Sequence, residues 1–206
     1  MTTSSIANQS KPNPVFLRPA LASDISKLET LLNRSYRFEG WTHETELVGG
    51  IRTNVAELTS VIEDNQQYLF VYPQTENGQE TGEILGCINV AIEYNSAYIG
   101  LFAVNPDLQG SGVGSALLAE AEVFIQRYFC YNNTTFAQSA AESSANENSI
   151  KMLVLKGRNK MLAYYQRRGY VCTGNTQPFL ENDSKGESNN GDLYFIEIKK
   201  ALPLPS

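Results

Sequence analysis

Cysteine and long apolar runs are both scarce in this sequence. Its three cysteines among 206 residues are odd in number and show no Cys-x-x-Cys spacing. Neither a disulfide framework nor a zinc site is therefore indicated. No apolar run reaches the roughly 18 residues that a membrane-spanning helix needs, so we expect no membrane partner. The net charge of −6 argues against a nucleic acid partner and favours cationic substrates such as amines.

The chain is long enough for one domain with a substantial core. Residues 1–14 are rich in Ser, Asn and Pro and contain no apolar core of a signal peptide. We therefore predict a flexible N-terminal segment and a cytoplasmic protein. A single domain is expected at 15–200 and a tail at 201–206. The polar, Asn- and Ser-rich stretch at about 132–149 is predicted to be a mobile insertion.

Hydrophobic periodicity predicts an alternation of strands and helices. Strands are expected at 15–18, 68–72, 84–92, 97–104, 152–155, 170–173 and 193–199. One helix is expected to begin after Ser23 or Asp24, and others to cover 53–63, 111–131 and 159–168. Cys87 and Cys172 fall in apolar runs and are expected to be buried. This order of elements predicts an α+β or mixed α/β domain.

A glycine-punctuated segment joins the predicted strand at 97–104 to the longest predicted helix. It reads Gln109, Gly110, Ser111, Gly112, Val113, Gly114 and Ser115. Alternate glycines let backbone N–H groups approach an anion at a helix N-terminus, where the helix dipole favours negative charge. The segment therefore predicts a site for a phosphate or pyrophosphate.

Two familiar phosphate loops match this segment poorly. A P-loop ends in Gly-Lys-Ser/Thr, whereas Ser115 and Ala116 follow Gly114 here. A dinucleotide-binding loop reads Gly-x-Gly-x-x-Gly and has an acidic residue about 20 positions later. This chain has Gly-x-Gly-x-Gly, followed downstream by a polar stretch at 132–134. Neither a P-loop enzyme nor a dinucleotide-binding enzyme is indicated.

Two motifs together resemble a known enzyme superfamily. Gln109 to Gly114 resembles Gln-x-x-Gly-x-Gly/Ala, the pyrophosphate-binding signature of the GCN5-related N-acetyltransferase (GNAT) superfamily. Residues 163–170 resemble the superfamily's helix-end motif, in which an aromatic pair, Tyr164-Tyr165, is followed by Gly169-Tyr170. The two motifs occur in the order that the superfamily uses. The resemblance extends over roughly residues 15–200.

The resemblance implies a central, partly splayed mixed sheet flanked by helices, with acetyl-CoA as co-substrate and no metal. In the superfamily, the strand before the glycine loop is bulged beside the thioester, and its backbone pairs with the pantetheine arm. Applied to this chain, that places Phe102, Ala103 and Val104 on acetyl-CoA. The glycine loop, Gln109 to Ser115, then holds the pyrophosphate. Backbone N–H groups of the strand are expected to polarise the thioester carbonyl.

The resemblance also identifies Tyr165 as the candidate general acid, because it matches the second aromatic of the pair. A phenol with a pKa of about 10 can protonate a thiolate whose thiol has a pKa of about 8.5. The alternative is a core tyrosine with a satisfied hydroxyl group. Many members carry Asn seven residues before this tyrosine; that position is Arg158 here, and Asn159 follows. Either residue is a candidate for contact with coenzyme A.

The general base is less well defined by the sequence. Where some histone-acetylating members have a glutamate on the central strand, this chain has Tyr98, which argues against that subgroup. Glu93, one strand earlier, is the candidate base, and a solvated carboxylate at a strand end is the alternative. Many members of the superfamily use a chain of ordered water molecules instead.

The acceptor is expected to lie against residues 33–44, which contain the only Trp and the only His of the chain. The resemblance assigns the substrate wall to this region. Tyr36 and Trp41 offer aromatic faces, and Glu44 is a candidate partner for an ammonium group. A packed turn is the alternative for this segment. His43 is expected to be a surface or hydrogen-bonded residue rather than a base.

Three functions agree with these observations. The first is an N-acetyltransferase that acts on the primary amine of a small molecule or amino acid by direct attack in a ternary complex. The second is a protein or peptide N-acetyltransferase, against which the acidic character and Tyr98 count. The third is a non-catalytic acyl-CoA-binding module, which Tyr165 disfavours. A homodimer is compatible with each of them.

Overall fold

The computed structural model describes residues 16–39, 44, 46–136, 148–179 and 193–202. Within these ranges the chain forms a seven-stranded mixed sheet with four α-helices. The expected α+β (mixed α/β) class is therefore confirmed. The predicted flexible segment at 1–14 lies outside the described residues. Most of the predicted insertion at about 132–149 and of the tail at 201–206 also lies outside them.

The strands are β1 (Arg18–Pro19), β2 (Gln67–Glu76), β3 (Gln79–Ile92), β4 (Ser96–Val104), β5 (Ser149–Leu155), β6 (Val171–Pro178) and β7 (Tyr194–Ala201). The helices are α1 (Ile25–Asn33), α2 (Val55–Glu63), α3 (Val113–Phe136) and α4 (Asn159–Gln166). A π-helical segment, Arg34–Phe38, continues α1. The order in the sheet is β1-β2-β3-β4-β5-β7-β6. Only the β4–β5 pair is parallel among these strands. Across the described ranges, none of the helices has the length and apolar character needed to cross a membrane.

Several elements are longer than the sequence patterns predict. Residues 74–82 lie between the predicted strands at 68–72 and 84–92 and are mostly strand in the structure. β2 and β3 continue through them to a two-residue turn at Asn77-Gly78. Both turn residues have positive φ angles, 50° and 80°, as a tight hairpin turn requires. α3 continues to Phe136, into the stretch that was predicted to be an insertion.

The expected burial of the two strand cysteines is right for one and wrong for the other. Cys87 on β3 is buried, as predicted, but Cys172 on β6 is exposed. β6 is the outermost strand and pairs only with β7, and all of its residues are exposed. An apolar run on an edge strand therefore does not imply burial at this position.

Each face of the sheet carries its own apolar core. α1 and α2 cover one face, where Leu28, Leu32 and Leu58 are fully buried. α3 and α4 cover the other face, where Leu118 and Ile125 are buried together with Tyr165 of α4. The apolar spacing along α1 and α3 turns one side of each helix to the sheet, as helical periodicity predicts.

β4 carries a bulge near its middle. Residues 87–89 of β3 lie opposite residues 100–103 of β4, so β4 contains one extra residue. Leu101 has a φ angle of 42°, in the left-handed region that branched side chains rarely adopt. Such a residue costs about 1–3 kcal/mol and persists only where its surroundings hold it.

The extra residue changes the face of the sheet to which the side chains of β4 point beyond the bulge. Alternate residues of a strand point to opposite faces, so one inserted residue exchanges them. Ile99 packs in the core under α3 and α4, whereas Leu101 packs in the core under α1 and α2. Phe102 is thereby turned towards α3 and α4.

β4 and β5 separate soon after they begin. Their parallel pairing joins residues 96–98 to residues 149–151 and goes no further. Beyond Tyr98 the two strands diverge, and the sheet opens on the side of the bulge. The partly splayed sheet that the sequence predicts is present.

Three side chains donate hydrogen bonds to carbonyl oxygens of β4 within and beyond the bulge. The Ser35 and Tyr36 hydroxyl groups donate to Val104 and Phe102, each at 3.1 Å. The buried Cys87 thiol donates to Leu101 at 3.3 Å. Because a buried carbonyl without a partner is costly, these donors stabilise a strand that has lost its neighbour on one side.

We predict that Ser35→Ala lowers the free energy of unfolding by about 1–2 kcal/mol, because it removes a buried donor to β4. Ser26→Ala, on the exposed side of α1, is the matched control and should change stability by no more than about 0.5 kcal/mol. Urea denaturation of both variants measures the difference. Equal stabilities of the two variants would contradict the role given to Ser35.

Candidate active site

Two cavities meet at Phe102 of β4 and at Met161 and Tyr165 of α4. The first, which we term the loop cavity, has a volume of about 350 Å³. Its lining joins the end of β4, the glycine loop and one side of α4. The second, which we term the inner cavity, has a volume of about 230 Å³ and occupies the gap between β4 and β5. Phe102, Met161 and Tyr165 line both cavities.

Most of the residues predicted to bind acetyl-CoA line the loop cavity. They are Phe102, Ala103, Val104, Gln109, Gly110, Gly112, Gly114 and Ser115. Ser111 and Val113 belong to the same loop and helix start but are not part of this lining. Met161, Tyr164 and Tyr165 of α4 complete the lining of the loop cavity. The sequence patterns did not assign Met161 or Tyr164 to the cofactor.

The glycines of the loop are required by its backbone. Gly110 and Gly112 have φ angles of 84° and 92°, which favour glycine. A Cβ atom on Gly114 would be in ordinary contact with two residues of the same lining, 3.5 Å from Val104 Cγ2 and 3.7 Å from Phe102 Cζ. The bare backbone thus forms a cradle at the N-terminus of α3, where unpaired N–H groups and the helix dipole favour an anion.

Arg168 brings a positive charge to this cradle. Its guanidinium group donates to Ser115 Oγ at 2.5 Å and lies over the Tyr164 ring, 3.5 Å from the ring centre. A second bond, at 3.0 Å, joins it to the Tyr164 carbonyl oxygen. Sequence reasoning missed this residue, although a basic residue directly before the helix-end glycine was available as a signal.

Tyr165 lies at the junction of the two cavities and is only 6% exposed. Tyr164 and Tyr170 contact its ring edge to face, at centroid distances of 5.2 and 5.8 Å. Burial raises the pKa of Tyr165 well above the ordinary value of about 10. The side chain therefore stays a neutral phenol at physiological pH and can donate a proton.

The inner cavity is lined by residues from distant parts of the chain. Its walls come from the π-helical segment, residues 44 and 52, the bulged part of β4, the end of β5, α4, and the β6–β7 pair. Tyr36, predicted to bind substrate, lines it and is held by its bond to the Phe102 carbonyl oxygen. Burial raises the pKa of Tyr36 to about 12. Tyr98 also lines this cavity.

Glu44 lines the inner cavity and forms ion pairs with two arginines. Its carboxylate lies 2.9 Å from Arg37 Nη1 and 3.2 Å from Arg158 Nη1. Desolvation lowers the pKa of the Arg37 guanidinium, and the neighbouring Arg52 acts in the same direction. Arg158, predicted as a cofactor contact, thus pairs with Glu44 of the inner cavity. Neither Arg158 nor Asn159, the other candidate, lines the loop cavity.

Glu93 lines neither cavity. Its carboxylate accepts a hydrogen bond from Ser96 Oγ at 2.6 Å and pairs with Lys151 Nζ at 3.1 Å. These contacts lower the pKa of Glu93, chiefly through the Ser96 bond, which weakens it as a base. Burial raises the pKa of Tyr98 in the inner cavity, and the charge of Glu93 acts in the same direction. Trp41 and His43 lie outside the described residues.

In the part of the chain that the structure describes, no group of three or more His, Cys, Asp or Glu residues is arranged to hold a metal ion.

Solved structures with this fold include several acetyltransferases. The ribosomal-protein-S18-alanine N-acetyltransferase from Escherichia coli is 14% identical, with a TM-score of 0.60 over 93% of this chain and 96% of that chain. A phosphinothricin acetyltransferase from Sinorhizobium meliloti in complex with AcCoA is 15% identical, with a TM-score of 0.58 over 92% and 89%. A spermidine N-acetyltransferase from Vibrio cholerae, in complex with CoA and spermine, is 21% identical, with a TM-score of 0.51 over 90% and 94%. At these identities the likeness shows the fold alone.

The sequence itself matches a protein family. No curated protein matches it significantly. The family model for the Acetyltransferase (GNAT) family, in contrast, matches residues 25–170. That range includes the bulged strand, the glycine loop and the helix-end aromatic pair, so the resemblance drawn from these motifs is confirmed. The chain belongs to the Acetyltransferase (GNAT) family and is an acyltransferase.

Proposed function

We propose that this protein transfers an acetyl group from acetyl-CoA to the primary amine of a small molecule or amino acid, by direct attack in a ternary complex. One observation carries the proposal: Phe102 and Tyr165 line both cavities. A donor in the loop cavity and an acceptor in the inner cavity would meet at these residues. The volume of about 230 Å³ supports an acceptor of amino-acid size.

The loop cavity suits acetyl-CoA in shape and in charge. Gln109 to Ser115 would hold the pyrophosphate, through backbone N–H groups at the start of α3 and with Arg168 beside Ser115. Phe102, Ala103 and Val104 would lie along the pantetheine arm, where β4 has no β5 partner. Met161 and Tyr164 would close the other side. Asn159, at the start of α4, remains a candidate contact at the edge of this cavity.

The opening of the sheet supplies the groups that polarise the thioester. Beyond Tyr98, the backbone groups of β4 that face β5 have no strand to pair with. N–H groups held in place by a bulge, in a site shielded from water, stabilise developing negative charge on a carbonyl oxygen. Tyr165 would then protonate the departing thiolate, because its neutral phenol lies where the two cavities join.

A water chain is the base that the arrangement favours. Glu44 is the lining carboxylate, but it is already paired with Arg37 and Arg158. Glu93 lines neither cavity, so it enters the proposal only as a distant proton acceptor that ordered water would have to connect to the amine. Tyr36, Trp41 and Glu44 would form the acceptor wall. Glu44 would act there by fixing the two arginines.

Protein or peptide acetylation and acyl-CoA binding without turnover are the alternatives. A screen of amines, amino acids and peptides for acetyl-CoA-dependent thiol release separates the three. Turnover of small amines supports the proposal, whereas turnover of peptides alone supports the second function. Binding of acetyl-CoA without release of thiol from any of these acceptors supports the third.

We predict that Gly112→Val weakens acetyl-CoA binding by about tenfold or more, because a branched side chain at this φ angle crowds the pyrophosphate cradle. Gly78→Val is the matched control: it places the same side chain at a φ of 80° in the β2–β3 turn, with no atom within 4 Å. Both variants carry similar backbone strain, but only the first should lose affinity. Calorimetry on the folded variants measures their affinity for acetyl-CoA. An unchanged affinity in Gly112→Val would refute the assignment of the pyrophosphate to the glycine loop.

We predict that Tyr165→Phe lowers kcat by roughly 10²-fold while acetyl-CoA binds as before, because the phenol donates its proton only during the reaction. Tyr170→Phe is the control, since its hydroxyl donates to Glu122 at 2.9 Å and lines neither cavity. Because the pKa of Tyr165 is raised, wild-type activity should not fall through its deprotonation up to about pH 10. Full kcat of Tyr165→Phe across this pH range would move the acid role to another group.

A further inference from the structure

The inner cavity and the whole chain differ in the sign of their charge. The chain carries a net charge of −6. The charged residues that line the inner cavity are Arg37, Arg52 and Glu44, and Arg158 adjoins them through its pair with Glu44. Three guanidinium groups thus lie in or beside the lining with a single carboxylate, which leaves this part of the cavity with an excess of positive charge.

Arg52 carries the guanidinium group of this set for which no ion pair is found among the described residues. Glu44 already pairs with Arg37 and Arg158. The guanidinium group of Arg52 instead lies over the Tyr36 ring, 5.0 Å from the ring centre, at the wall of the cavity. A cation oriented by an aromatic face in a partly buried cavity is well placed to bind an anion.

We propose that the acceptor carries a carboxylate close to its amine, as an α-amino acid does, and that Arg52 binds this carboxylate. The inference rests on the proposed function and names the acceptor class. Guanidinium and carboxylate groups form paired, charge-assisted hydrogen bonds, which fix orientation as well as adding affinity. With its carboxylate on Arg52, the acceptor directs its amine across the cavity to Phe102 and Tyr165.

The same charge disfavours a polyamine as the acceptor. A chain of ammonium groups would enter a cavity whose lining is already positive, and like charges at short distance repel. A zwitterion brings one negative group for Arg52 and one amine for the reaction. The spermidine acetyltransferase named above is similar to this chain in fold. The positive charge that lines this chain's inner cavity nevertheless makes the cavity unsuited to a polyamine.

The positive lining also helps the amine to react. An ammonium group cannot attack a thioester, so the acceptor must lose a proton first. Nearby positive charges lower the pKa of an amine, because they disfavour its charged form. Arg37, Arg52 and Arg158 would therefore increase the neutral fraction of the bound amine. This effect reduces the need for a strong base in a cavity where the lining carboxylate is already paired.

The test compares each standard L-amino acid with its own carboxamide, by release of coenzyme A from acetyl-CoA. The carboxamide has the same amine and side chain but no negative charge. Wild-type enzyme should prefer the acid by about tenfold to a hundredfold in kcat/KM for the acceptors it uses. Arg52→Gln should abolish this preference, and Arg52→Lys should keep part of it. Because the preference is a ratio within one variant, a reduced folded fraction does not change it.

Arg127→Gln is the matched control, since it removes an exposed arginine of α3 far from both linings. It should keep the wild-type preference. Equal or faster turnover of the carboxamides would overturn the inference, and so would turnover of spermidine with no turnover of any amino acid. Either result would leave the proposed function standing. Full preference for the acid in Arg52→Gln would overturn the role of Arg52. Absence of thiol release with every one of these amines would overturn the proposed function as well.

Discussion

The short parallel ladder between β4 and β5 is the constraint on which the site depends. It joins only residues 96–98 to 149–151. Longer pairing would close the gap in which the inner cavity lies and would occupy the backbone groups of β4. No pairing at all would separate the two halves of the sheet, and α4 follows β5 along the chain. A few residues of pairing therefore hold α4 beside β4 while leaving a space between the strands.

An open sheet has a cost that the surrounding residues offset. Strand β4 loses hydrogen bonds on one side and holds Leu101 in a strained conformation. The donors from Ser35, Tyr36 and Cys87 return hydrogen bonds to three of its carbonyl oxygens. Two of these donors lie on the π-helical segment, whose wider turn carries α1 towards β4. The segment that supports the bulged strand therefore also supplies one wall of the inner cavity.

The parts of the site that sequence reasoning found are those encoded locally. The glycine loop and the helix-end aromatic pair each depend on a few consecutive residues, so both motifs can be read in the sequence. The loop alone predicts an anion site, and the family resemblance that the two motifs carry singled out Tyr165. The order of strands and helices sufficed for the fold class. Arg52 and Arg168 were missed because their importance comes from partners far along the chain, Tyr36 for one and Ser115 for the other. The ion pairs of Glu44 were missed for the same reason, since Arg158 reaches it only in the folded molecule.

The two cavities differ in how their linings are distributed along the chain. The loop cavity comes mainly from one continuous run of strand, loop and helix start, so almost any change in that run alters the same lining. The inner cavity takes side chains from separate segments that are otherwise held by their own cores. Single substitutions at 52, 98, 177 or 195 can therefore alter one wall without disturbing the others. In evolutionary terms, and under the proposed function, a lineage with this scaffold can acquire new acceptors one residue at a time while its donor stays the same.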